Sequence, residues 1–100
     1  MQVYNISFQV NESVESAWKA WMKETFIPMI QATACFEEIK WYQLSVNSDQ
    51  EPTYTMQLFT PQQDQLQAYH ELHATAHLKE VQQAWGEKCF YFCTQMQIVN

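Results

Sequence analysis

The chain of 100 residues is near the common size of one domain, and its 47% apolar and 15% aromatic content excludes disorder. With one glycine and three prolines it has no linker for a second domain, so residues 1–100 read as a single unit. The net charge is −6 and the cations are five lysines without an arginine, which argues against nucleic acid and polyphosphate partners.

Residues 2–10 alternate, Tyr4, Ile6, Phe8 and Val10 against Val3, Asn5, Ser7 and Gln9, which predicts a strand. Asn11 then caps a helix whose Val14, Trp18, Trp21 and Met22 make one stripe, with Glu12 and Glu15 in its first turn. Pro28 predicts a bend and a short extra turn. A second strand is expected from about Phe36 to Val46, with Lys40, Tyr42, Leu44 and Val46 on one face and Ile39, Trp41, Gln43 and Ser45 on the other. "NSDQEP" reads as a turn, and "TYTMQLF" as a third strand.

Thr60, Pro61 and Gln63 read as a capping-box start of a second helix, which should run to Gly86 with a break near Ala74–Thr75. The last strand sets Phe90, Phe92, Met96 and Ile98 against Cys89, Tyr91, Cys93, Gln95 and Gln97. The order β-α-β-β-α-β predicts an α+β, ferredoxin-like fold: a four-stranded antiparallel sheet with two helices on one face.

In this reading the helices cover the even-numbered strand residues. The open face then carries Asn5, Ser7, Trp41, Gln43, Gln57, Phe59, Tyr91 and Cys93, and none of its residues is charged. A solvated sheet face normally carries charge, so this one is expected to be covered by a second copy of the chain, leaving neutral polar groups around a cavity. The alternative is a solvated face of a glutamine-rich chain.

"YNISFQV", "AWKAWM", "FIPMIQAT", "PTYTMQLF" and "AWGEKCFYFCTQMQIVN" together resemble an uncharacterised bacterial domain-of-unknown-function family of about this length. That resemblance implies the dimeric α+β barrel superfamily, in which two ferredoxin-like sheets face each other, and it carries no activity with it. Phe26, Ala34 and Cys93 stand where the family commonly has histidine, glycine and arginine, so a task resting on those residues would be missing here. Barrels of this superfamily include cofactor-independent monooxygenases, haem degraders and small-molecule isomerases.

"HELHATAH" holds all three histidines, His70, His73 and His77, but its H-E-x-H spacing is not that of the zinc proteases. On a regular helix Leu66, Tyr69, His73, Ala76 and Glu80 share one stripe, with His77 and Ala84 at its edge and His70 further out. His73 and His77 are one turn apart, so they are the candidate haem or metal ligands; His70 and His77 are about 10 Å apart and cannot share an ion with Zn–N bonds of about 2.0 Å. Two ligands make no structural metal site, and the expectation is no metal and no cofactor. Cys93 has no basic neighbour to activate it and reads as an inert thiol.

Three cysteines, no apolar span of membrane length and no leader-like start predict a cytoplasmic protein without a membrane partner. The expected function is a homodimer that binds a small neutral or aromatic molecule. Two other readings stay open. One is an enzyme, either a cofactor-independent monooxygenase or isomerase in which Trp41 and Tyr91 orient the substrate, or a haem-binding barrel. The other is an interaction module whose open face binds a different protein.

Overall fold

The computed structural model describes residues 1–45 and 49–99. The predicted turn at Asn47 and Ser48, and Val46 at the end of the predicted second strand, lie outside them.

The strands are β1 (Gln2–Val10), β2 (Glu38–Gln43), β3 (Thr53–Thr60) and β4 (Cys89–Gln97), and they form one antiparallel sheet in the order β2-β3-β1-β4. The first helix follows β1 as α1 (Glu15–Trp21) and α2 (Ile27–Gln31), joined by a π-helical turn over Met22–Phe26. The second follows β3 as α3 (Gln63–Tyr69) and α4 (Thr75–Trp85), joined by another over His70–Ala74. The fold is ferredoxin-like, as the order of elements predicts.

Each helix owes its shape to a few residues. Asn11 Oδ1 accepts the Ser13 N–H at 2.9 Å, closing the entry turn before α1. Pro28 has no N–H to give the carbonyl four residues back, and its ring would strike that carbonyl in a regular helix; the wide turn just before it relieves the clash. The second helix starts later than its capping-box pattern suggests. Thr60 stays in β3, its Oγ1 accepts the Gln62 N–H at 3.5 Å, and α3 begins at Gln63. Gly86 ends α4 with φ +54°, a left-handed conformation that favours glycine.

The core lies between the helices and one face of the sheet. Phe8, Trp18, Met22, Phe26, Met56, Leu58 and Leu66 are fully buried there. Trp18 packs on Tyr54 and Phe8 with ring centres 4.9 and 5.4 Å apart. Burying each such side chain contributes about 1.5–3 kcal/mol, so this layer holds the sheet and helices together.

The sheet register corrects the face assignment of two strands. Residues directly opposite in an antiparallel pair share a face. Val10 stands opposite Cys89, Phe8 opposite Tyr91 and Ile6 opposite Cys93, so the odd residues of β4 face the helices. Ile39 stands opposite Leu58, Trp41 opposite Met56 and Gln43 opposite Tyr54, so the odd residues of β2 do too. β4 carries apolar residues on both sides and β2 mixes polar with aromatic residues, so alternation alone orients neither strand. The central strand decides it: β1 alternates cleanly, and its neighbours must follow its register.

Candidate functional site

The open face is built from four rows that cross the sheet. Glu38, Phe59, Val3 and Met96 stand side by side in the first, and Lys40, Gln57, Asn5 and Thr94 in the second. Tyr42, Thr55, Ser7 and Phe92 form the third, and Thr53, Gln9 and Phe90 the fourth. Of the predicted site residues, Asn5, Ser7, Gln57 and Phe59 are therefore on this face. Trp41, Gln43, Tyr91 and Cys93 are on the helix side, as are Ile39, Cys89, Gln95 and Gln97.

The expectation of a face without charge is corrected as well. Glu38 and Lys40 lie on it, paired at 3.8 Å at the β2 edge, and the Lys40 ammonium sits 5.5 Å from the centre of the Phe59 ring. The central strands keep their neutrality. Asn5 Nδ2 donates to Ser7 Oγ at 3.3 Å, and Ser7 Oγ and Thr55 Oγ1 share a hydrogen bond at 3.2 Å. What sequence reasoning missed is the apolar weight of the β4 side. Phe90 is 55% exposed, Phe92 63%, Met96 37% and, at the other edge, Tyr42 42%.

The residues displaced from the open face meet other partners. Trp41 packs edge-on against Trp18 at 5.8 Å and beside Tyr54 at 5.8 Å. It sits on edge strand β2, whereas Tyr91 sits on edge strand β4, so the sheet does not bring the two together. Tyr91 and Cys93 instead join Tyr4 of β1 beneath the second helix. Burial holds the Tyr4 phenol above its usual range, reinforced by a hydrogen bond with Cys93 and by nearby Tyr69 and Tyr91. Burial does the same to Tyr69, with Cys35 and Cys93 close by.

His77 completes this layer. Tyr69 Oη and His77 Nδ1 are 2.8 Å apart, and the His77 side chain is almost fully buried. The His73 ring stacks on it at 5.7 Å, and His70 meets the Tyr4 ring edge-on at 4.7 Å. Burial lowers the His77 pKa first, and His73 lowers it further, while Glu80 works in the opposite direction. Tyr4 and Tyr69 look like plain core aromatics in the sequence. Their signal was the hydroxyl group, which needs a partner when buried.

The π-helical turn explains why His77 is inside. One extra residue in the turn rotates everything after it, so the buried stripe runs Leu66, Tyr69, Ala74, His77, Val81. Ala76 and Glu80, placed in the stripe by a regular wheel, are exposed, and His73 is half-buried. Among the described residues no three His, Cys, Asp or Glu side chains converge in a way that could hold a metal ion. No helix among them is long and apolar enough to cross a membrane.

The sheet order and paired helices place the chain among ferredoxin-like α+β domains. Within that class it belongs to the family described as "Domain of unknown function (DUF4286)", whose model matches residues 1–99. Solved structures of this fold are similar at low identity. An ethyl tert-butyl ether D (EthD) family protein from Bacillus halodurans has TM-score 0.67 at 12% identity, covering 97% of this chain and 100% of that one. A dimeric ferredoxin-like protein from an uncultured marine organism has TM-score 0.66 at 7% identity, covering 99% and 94%. Another, of unknown function, from Thermobifida fusca has TM-score 0.55 at 14% identity, covering 98% and 92%. No curated protein matches the chain.

Proposed function

We propose that this chain works as a homodimer whose two open sheet faces meet and enclose a site for a small neutral molecule. The observation that carries the reading is the composition of that face: a neutral hydroxyl and amide centre, flanked by exposed Phe90, Phe92, Met96 and Tyr42. Covering the exposed part of each of the two phenylalanines contributes about 1–2 kcal/mol, while the polar centre needs partners once covered. Asn5, Ser7, Thr55 and Gln57 supply donors and acceptors without charge, which suits a neutral ligand, and Phe59 and Phe92 supply the aromatic walls. The fold relatives described as dimeric ferredoxin-like proteins add support. Cys35, Cys89 and Cys93 are free thiols, in keeping with a cytoplasmic, reducing setting.

Light scattering across a concentration series down to low micromolar tests the assembly, and thermal shift against neutral aromatic fragments tests the site. A mass of more than one chain, with fragments whose stabilisation is lost in Asn5→Leu, is expected. A single-chain mass contradicts the reading.

A further inference from the structure

We infer that the free edge of β4 is a second self-association surface, pairing antiparallel with β4 of another copy in a register centred on Cys93. It is distinct from the open face and does not depend on the reading above.

The backbone shows which groups are on offer. At one end of β4 the Asn11 N–H donates to the Lys88 carbonyl at 2.8 Å, and at the other the Ile98 N–H donates to the Met1 carbonyl at 3.1 Å. Both even-numbered residues thus turn inward to the β1 side. The pairing between them runs from Val10 opposite Cys89 to Gln2 opposite Gln97 without a bulge. Backbone direction alternates along a strand, so Cys89, Tyr91, Cys93, Gln95 and Gln97 turn their N–H and C=O groups to the free edge.

The two sheet edges are treated differently. The β2 edge is six residues long and carries Glu38 and Lys40, charges of the kind that discourage strand addition. The β4 edge is nine residues long and the sequence holds no charge after Lys88. A long, uncharged edge without a bulge is a template for another strand.

A second copy is the occupant the sequence fits. An antiparallel pair of identical strands has two-fold symmetry, and in a chain of net charge −6 this strand can meet itself without bringing like charges together. Centring on Cys93 is the register that pairs all of the outward residues: Cys93 with Cys93 of the partner subunit, Tyr91 with the partner's Gln95, Cys89 with the partner's Gln97. On the open face it sets Phe90 opposite the partner's Met96, an apolar cross-strand pair. Above the edge, a cleft of about 420 Å³ lined by Thr75, Leu78, Lys79, Gln82 and Tyr91 can receive the added Gln95 side chain, whose amide oxygen suits the Lys79 ammonium. The product is a continuous eight-stranded sheet, and with the open faces also paired the assembly closes as a four-chain particle.

Cys93 makes this testable, because it is the exposed thiol while Cys35 and Cys89 are buried. Opposed residues of a hydrogen-bonded antiparallel pair have Cα atoms about 5.5 Å apart, within disulfide reach of about 4.4–6.8 Å. Copper-phenanthroline oxidation of the native protein should give a disulfide-linked dimer on a non-reducing gel, absent in Cys93→Ser. Gln95→Pro removes one outward N–H at a position where proline is tolerated, and should halve the molar mass in light scattering with an unchanged circular dichroism spectrum. Amide exchange gives a reading without mutation: the Tyr91, Cys93 and Gln95 amides should slow as protein concentration rises. A mass unaffected by folded Gln95→Pro, a Cys93 that does not cross-link to its mate, or edge amides indifferent to concentration overturns the proposal.

Discussion

Tyr69 and His77 form the buried polar contact on which the second helix turns. Tyr69 Oη and His77 Nδ1 share a hydrogen bond at 2.8 Å, and burial, which lowers the His77 pKa, favours the neutral imidazole there. Tyr69→Phe keeps the ring and removes the hydroxyl, leaving a buried ring nitrogen without that partner; a loss of about 1–3 kcal/mol in denaturant unfolding is expected. The same contact predicts a pH effect. The His77 pKa lies below its ordinary value of 6.5 in the fold, so on acidification the unfolded chain takes up the proton first. The stability is complete above the unfolded value and is lost as pH falls through it toward the folded pKa. Between about pH 7 and pH 5 the thermal midpoint of the native protein should therefore fall faster than that of His77→Gln. Tyr54 makes a second such contact, donating to Glu15 Oε2 at 2.6 Å and tying β3 to α1. Tyr54→Phe should cost about 1.5–3 kcal/mol, the range for a hydrogen bond to a charged group.

At the scale of elements, the wide turns decide what faces inward. A turn of this kind arises when one residue more than a regular helix needs is held between two anchored halves. Leu72 lies in the second turn and is 71% exposed, so deleting it should convert the turn to regular helix while Leu66, Tyr69, His77 and Val81 stay buried. The deletion is expected to change unfolding free energy by no more than about 2 kcal/mol, measured by denaturant titration with near-ultraviolet circular dichroism as the check on packing. A far larger loss would mean that the turn is needed for itself. The order of strands and helices was legible in the sequence because β1 and β3 alternate cleanly and Asn11, Pro28 and Gly86 punctuate the helices. The inward positions after residue 72 were not, since a regular wheel cannot show an extra residue in a turn. Nor were the faces of β2 and β4. Phe90 and Phe92 are larger and more apolar than Cys89 and Cys93, yet they point away from the helices, because β1 fixes the register. Half of the predicted site thus moved to the helix side, while Asn5, Ser7, Gln57 and Phe59 stayed where the clean alternation of β1 and β3 placed them.

For the whole molecule, the residues that the register turns to the open face sharpen the case for a covered sheet. The monomer places Phe90, Phe92 and Met96 beside a neutral polar centre, and the Glu38–Lys40 pair sits at the far edge. Thr55 stands in the middle of that face, opposite Ser7 on one side and Tyr42 on the other. A lysine there costs the monomer little, because its ammonium reaches water, but in a facing-sheet dimer it would be buried without a partner. The edge of β4 is separate from this position, so the two surfaces can be read independently. The most direct measurement is the molar mass of the native chain and of Thr55→Lys, side by side in light scattering from low to high micromolar concentration. Pairing of the open faces predicts that the variant, still folded, has half the native mass. Equal masses for the two proteins would contradict it.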